Sequence, residues 1–310
     1  MPIKIKESLP AREILEKENI FVMTEYRAMH QDIRPLNVLI LNLMPTKIIT
    51  ETQLLRKLSN TPLQINVEFL RLESYQPKHI DSNHLDSFYK TFTEVKKRKF
   101  DGMIITGTPL DFIAFEDVVY WEELCEIMEW TKTHVHSVFH MCWGAFAGLY
   151  YHYGIQKRDR LPKLSGIYLH KVLKSTSPLF RGMDDVFYAP HSRATEVLPE
   201  QITADPRLEL LAVSDEAGVA IVKSDDSHHF FMLCHPEYDA DTLALEYYRD
   251  RDKGLNPEIP VNYFPNDDPS KEPVVTWRSV GQLIFSNWLN YYVYQSTPYN
   301  WIDEEENRQI

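Results

Sequence analysis

The stretch VHSVFHMCWGAFAGLYYHYG, Val135 to Gly154, places a cysteine where a strand-like run gives way to a helix-like one. Val135–Met141 is apolar and β-branched, and Ala145–Tyr153 has helical character with no relaxed loop between the two. Gly144, Ala145 and Ala147 are small enough to let a strand and a helix pack closely round a sharp turn, the logic of the nucleophile elbow of serine hydrolases. Such a turn lifts Cys142 above the sheet and aims a helix N-terminus at its sulfur, where unpaired N–H groups and the positive dipole end favour a thiolate. The backbone N–H of Trp143 is then the first candidate donor to an oxyanion. A lone cysteine is otherwise an ordinary buried residue, so its position at the junction is what singles out Cys142.

A free thiol titrates near 8.5 and needs a base or a cation to act at neutral pH. The chain holds 12 histidines. In FFMLCHPEY, His235 directly follows an apolar strand and Glu237 stands two residues further on. If that strand joins the sheet in parallel, His235 emerges at the same edge as Cys142. Glu237 can then fix the imidazole tautomer and stabilise the imidazolium. Cys234 points to the opposite face by strand alternation and is expected in the core, and Cys125 is expected to pack on its helix. His140, two residues before Cys142, is a lesser candidate for a direct role at the site. His134, His136, His228 and His229 are expected at the surface or at strand edges, and the Trp and Tyr cluster of 277–294 in the core.

These groups need a scaffold. LNVLILNL, LQINVEFLRL, FDGMIITG and the run ending at Cys142 read as apolar strands, separated by helical segments at TETQLLRKL, HLDSFYKTFTEV and EDVVYWEELCEIMEWT (Glu116–Thr131). Leu54, Leu55 and Leu58 are expected to share one helical face. Alternation of this kind predicts a largely parallel α/β sheet with helices on both faces, whose ligands collect at the carboxyl ends of the strands. After Gly154, LELLAVSD, AGVAIVKSD and HHFFMLCHPE read as a meander joined to that sheet. DTLALEYYRDRDKG reads as a helix ending at Gly254, 257–273 as a loop, and Trp277–Gln295 as a long aromatic helix. One domain over 1–310 is expected, with an N-terminal extension at 1–35 and a C-terminal loop and helix, 255–310, packed on the core.

Composition narrows the function. With 33 basic and 45 acidic residues the net charge is 33 − 45 = −12, which argues against nucleic acid or an anionic membrane as the main partner. No stretch approaches the roughly 18 uninterrupted apolar residues of a membrane span. Three cysteines without metal-type spacing point to a reducing, cytoplasmic location.

A cysteine elbow followed late in the chain by His-Pro-Glu resembles the class I glutamine amidotransferases, which are flavodoxin-like; their elbow usually carries glycine where this chain has His140. A longer resemblance covers nearly the whole chain. IFVMTEYRAMHQDIRPL, ILNLMPTKIITETQLLRKLSNTPLQ, TGTPLDFIAFEDVVYWEEL, APHSRATEV, EYYRDRDKGLN and LIFSNWLNYYVYQSTPY are similar to the homoserine O-acyltransferases of the MetA type. That resemblance implies a cysteine–histidine acyltransferase on the amidotransferase-like sheet. Cys142 matches the acyl-thioester nucleophile, and His235 and Glu237 match the base and its carboxylate. Lys163, Ser192 and Arg249 match substrate-contacting positions, with Lys47 implicated near the site. Arg249 has the forked geometry that suits an amino-acid carboxylate, although it lies in an ordinary charge run. Asp111 occupies the position where acetyl-CoA users carry glutamate and succinyl-CoA users glycine.

The expected function is a ping-pong homoserine O-acetyltransferase of methionine biosynthesis, working on L-homoserine with acetyl-CoA as co-substrate. No bound cofactor and no metal is needed for that reaction, and a homodimer is compatible with it. The alternatives are succinyl-CoA as donor, serine as acceptor, a glutaminase-type amidohydrolase, and a non-catalytic regulator on the same fold.

Overall fold

The computed structural model describes residues 35–75, 82–298 and 301, together with two short strands, β1 (Ile3–Ile5) and β2 (Val22–Thr24), which pair in parallel. The rest of the expected N-terminal extension and the last residues of the C-terminal one lie outside the described residues. The body is one ten-stranded sheet. Its strands are β3 (Leu36–Leu41), β4 (Ile65–Leu70), β5 (Tyr89–Lys90), β6 (Phe100–Ile105), β7 (Val135–Met141), β8 (Arg158–Val172), β9 (Val186–Glu196), β10 (Leu208–Ser214), β11 (Gly218–Ser224) and β12 (His229–Met232). The spatial order is β5-β4-β3-β6-β7-β12-β11-β10-β8-β9.

From β5 to β12 every pairing is parallel, and from β12 to β9 every pairing is antiparallel. β12 is therefore the seam: it joins the late meander to the parallel half, with Phe230 opposite Phe139 and Met232 opposite Met141. Alternation along the central strands splits the core in two. Leu39, Leu41, Met103 and Ile105 face the helices Trp121–His134 and Trp143–Tyr153. Val38, Ile40, Ile104 and Phe139 face the helix Lys47–Leu58 and the C-terminal helix Arg278–Asn287, which continues as a π-helical stretch to Tyr294. Burial on both faces is what makes these strands uniformly apolar. Among the described residues no helix is long and apolar enough to cross a membrane.

Several expectations need correction. Glu116–Thr131 is not one helix: a 3₁₀ turn at Phe115–Asp117 precedes the helix Trp121–His134. The segment HLDSFYKTFTEV is broken by β5 between the helices Ser82–Phe88 and Phe92–Val95. Leu54 and Leu58 are buried, but Leu55 is 39% exposed and does not share their face. The long antiparallel hairpin β8–β9 has no counterpart in the sequence reading. It lies at the sheet edge, and its strands carry charged and polar residues such as Arg158–Arg160, Lys163, His191 and Arg193, which break up the apolar signal.

The elbow itself depends on close approach. A Cβ on Gly144 would stand 2.6 Å from the Thr106 carbonyl oxygen and 2.8 Å from that of Ile105. Both are backbone atoms at the end of β6 and cannot rotate aside. Gly144→Ala is therefore expected to destabilise the chain by about 1–3 kcal/mol, the range for forced overpacking. A lowered urea midpoint at unchanged m-value checks this, and an unchanged midpoint would place the helix further from β6 than described.

Candidate active site at the carboxyl edge of the sheet

Cys142 lies between β7 and the helix Trp143–Tyr153 with φ 50° and ψ −118°, a left-handed conformation that is rare and strained for a non-glycine residue. Its N–H donates to Met232 O at 2.7 Å, and its carbonyl accepts from Ala145 N at 2.9 Å and Phe146 N at 3.1 Å. The elbow is thus bonded into β12 on one side and into the helix on the other. The opening N–H groups of a helix have no intrahelical partners, and here they belong to Trp143 and Gly144. Gly107, at the end of β6, keeps the space beside them clear. A Cβ there would stand 3.3 Å from Trp143 N and 3.4 Å from the Cys142 Sγ. The space so preserved is where a carbonyl oxygen undergoing attack by the sulfur would sit.

His235 follows β12 at the same sheet edge. Its backbone N–H donates to Pro190 O at 2.8 Å, and its Nδ1 lies 2.6 Å from Glu237 Oε1. Both side chains are buried, at 6% and 5% exposure. Burial alone would drive the imidazole to its neutral form. The charges of Cys142 and Glu237 and the hydrogen bond to Glu237 oppose that and hold its pKa well above the usual 6.5. An imidazolium between a sulfur and a carboxylate is the arrangement that activates a thiol. Cys234 next door is fully buried, and desolvation pushes its thiol far above the ordinary range. Burial likewise raises Cys125 to about 11. All three cysteines are free.

A polar network extends from this centre. Tyr238 stacks on His235 with ring centroids 4.2 Å apart and donates its hydroxyl to Glu246 Oε1 at 3.4 Å. Glu246 also accepts from Ser192 Oγ on β9 and, at 3.4 Å, from Lys163 Nζ on β8. Lys163 reaches Asp250 at 3.8 Å, and Asp250 pairs with Arg249 at 2.7 Å. Lys163, Glu246 and Asp250 line a cavity of about 900 Å³ between β8, the helix Thr242–Asp252 and the loop 255–261. Lys163 and Ser192 are therefore brought together round one carboxylate. Arg249 stands one step outward, half-exposed and occupied by Asp250, although the charges of Glu246 and Tyr238 still act on it. Glu246, Tyr238 and Gly107 were not singled out in the sequence. Glu246 lies in a charged helical stretch and acquires its meaning only when β8 and β9 fold against it.

Lys47 lies beyond β3. It is buried, its Nζ donates to Asn42 O at 2.6 Å, and desolvation, partly offset by Glu51, lowers it to about 8. With Asn42, Thr108 and Leu110 it lines a second cavity of about 260 Å³. Asp111 turns toward β9: its Oδ1 accepts from Ala194 N at 3.0 Å and from Thr195 Oγ1 at 3.1 Å. Lys157 donates to the Asp111 carbonyl oxygen, which brings an ammonium beside the carboxylate. His140 is wholly buried and bonds His229, not the elbow sulfur. His229 is itself buried at 4% exposure, against the expectation of a strand-edge residue.

Known proteins share the fold and, in some cases, much of the sequence. A glutamine amidotransferase from Thermotoga maritima matches with a TM-score of 0.52 and 12% identity, over 83% of this chain and 98% of that one, which supports the fold alone. Proteins named homoserine O-acetyltransferase are much nearer in sequence. The one from Methanomethylophilus alvi is 58% identical over 97% of both chains. That from Geobacillus kaustophilus is 58% identical over 97% of this chain and all of its own. The family model described as homoserine O-succinyltransferase matches residues 2–299, and the chain belongs to that family.

Proposed function

We propose that this chain transfers an acetyl group from acetyl-CoA to the hydroxyl of L-homoserine through a thioester on Cys142. The observation that carries the reading is the strained cysteine elbow, whose sulfur faces a buried imidazolium held by Glu237. In the first half-reaction the sulfur attacks the thioester carbonyl, and the carbonyl oxygen moves toward the N–H of Trp143. The tetrahedral adduct expels the CoA thiolate, which takes the proton from His235. In the second half, neutral His235 removes the proton of the acceptor hydroxyl as that oxygen attacks the acyl-cysteine, and the returning electron pair restores the cysteine sulfur. Glu237 keeps the ring oriented throughout.

The network round Glu246 gives the acceptor its place. Homoserine carries an ammonium and a carboxylate at one end, and Glu246 is an acceptor group suited to the first. Lys163, Ser192 and Arg249 offer donors suited to the second. For Arg249 to take part, its fork has to leave Asp250. Lys47 can add positive charge at the donor side. The donor is drawn from a reducing compartment, consistent with three free thiols, and we place the enzyme in the cytoplasm without a bound cofactor.

Acetyl is favoured over succinyl by Asp111. A like-charge pair at about 4 Å and an effective dielectric near 20 repels by about 4 kcal/mol. The Lys157 ammonium and the bonds to Ala194 and Thr195 reduce that figure here, so the discrimination should be modest. The succinyl reading keeps one supporting observation, the description of the family model.

Intact-protein mass spectrometry after exposure to acetyl-CoA without acceptor tests the central step. An acetyl adduct should form in the native chain, in Cys125→Ala and in Cys234→Ala, and should be absent in Cys142→Ala; equal loss in Cys234→Ala with the fold intact would reassign the nucleophile. His235→Asn should slow acylation by about 10²–10⁴-fold, and Glu237→Gln less.

Glu246→Gln should raise the apparent KM for homoserine by about tenfold or more while leaving the rate of acylation by acetyl-CoA unchanged. If acylation falls and the acceptor KM stays constant, Glu246 serves the donor side. Finally, Asp111→Gly should move the acetyl-to-succinyl preference toward succinyl-CoA by several-fold, measured with both donors at equal concentration. A native enzyme that already prefers succinyl-CoA would remove Asp111 from the acyl pocket.

A further inference from the structure

Behind the elbow helix lies a second cluster that the acyl-transfer reading does not use. His140 on β7, His152 on the helix Trp143–Tyr153 and His229 on β12 converge, each presenting a ring nitrogen within 4.8 Å of those of the other two. Their ring centroids stand 4.2 Å (His152–His229), 5.3 Å (His140–His229) and 6.0 Å (His140–His152) apart. His140 and His229 are buried, and His152 is half-buried.

The arrangement is poorly explained as hydrogen bonding among histidines. His140 Nε2 and His229 Nδ1 are 3.2 Å apart and can share one proton. His152 Nε2 is buried without a partner. Burial also disfavours charge on every ring, lowering His152 to about 3 and the other two well below the ordinary value. Three neutral imidazoles with convergent lone pairs form the donor set that divalent zinc and its analogues take up.

The geometry points to a divalent-cation site of the zinc class, bound by His140 Nε2, His152 Nε2 and His229 Nδ1, with water in the fourth position. Nitrogens 2.0–2.1 Å from one tetrahedral ion stand about 3.3 Å from one another. The His140–His229 pair already has that spacing, and His152, on the partly exposed side, has only to swing inward. The outer nitrogen of His140 faces the helix backbone, where a Cβ on Gly148 would stand 2.7 Å from Nδ1, so His140 Nε2 is the nitrogen turned toward His229. Such an ion would not touch the Cys142 sulfur. It would tie together β7, β12 and the elbow helix, the three elements that set the sulfur's position.

The test uses the intact chain, stripped with a chelator and titrated with Zn²⁺ and with Co²⁺. One equivalent should bind, and the Co²⁺ form should show tetrahedral ligand-field absorption without a thiolate charge-transfer band. Cys142→Ala should bind as the native chain does, which separates this site from the catalytic sulfur and from any failure of the acyl-transfer reading. His152→Phe and His229→Phe should each weaken binding by at least about tenfold, with native circular dichroism, and Zn²⁺ should raise the Tm of the native chain but not of His152→Phe. Absence of binding up to about 100 μM, binding lost with Cys142→Ala, or affinity unchanged in both histidine variants would each overturn the site.

Discussion

The parallel pairing of Val135–Met141 with His229–Met232 is the constraint on which the site depends. Met141 lies opposite Met232, and the next N–H, that of Cys142, continues the ladder by donating to Met232 O. This register brings the cysteine and the histidine, 93 positions apart (235 − 142), out of adjacent strands at one edge. A slip by one residue would turn the apolar side chains of β12 to the wrong faces, so the two cores lock the register far more firmly than the site could. The geometry of the cysteine–histidine pair is inherited here from hydrophobic burial.

Two unfavourable terms are stored at that edge. A non-glycine residue at φ 50° costs on the order of 1–3 kcal/mol. A buried imidazolium costs desolvation that only paired charges offset. The elbow helix compensates by burying Trp143, Phe146 and Leu149 almost completely. The His-Pro-Glu turn is braced from the opposite face of the sheet. Trp277 Nε1 donates to Tyr238 O at 2.9 Å, and Gly281 of the C-terminal helix packs so closely that a Cβ would stand 2.2 Å from Pro236 O.

What the sequence revealed and what it hid follow from how local the signals are. The parallel strands were legible because two-sided burial makes each an unbroken apolar run. The elbow was legible because glycine and alanine next to a cysteine form a compact pattern, and His235 and Glu237 because they adjoin such a strand. β8 and β9 escaped because the first opens on the charged run Arg158–Arg160 and carries Pro162 and Gly166, and the second is interrupted by Pro190 and Arg193. Glu246 and Tyr238 escaped because their importance lies in contacts with Ser192, Lys163 and His235, which only tertiary folding brings near. His229 was misjudged because the polar run Ser224–His228 before it imitates a strand end, whereas β7 and the elbow helix enclose it.

The bracing of Pro236 by Gly281 has a consequence for synthesis. A ribosome releases β7 and the elbow long before β12, and β12 before the C-terminal helix. The nascent chain can shape the cysteine turn from local contacts, but it lacks both the imidazole and the buttress that holds it. The cysteine–histidine pair therefore assembles only once the C-terminal helix has followed β12 out of the ribosome. Order of emergence delays the meeting of these two side chains until the surrounding walls are in place.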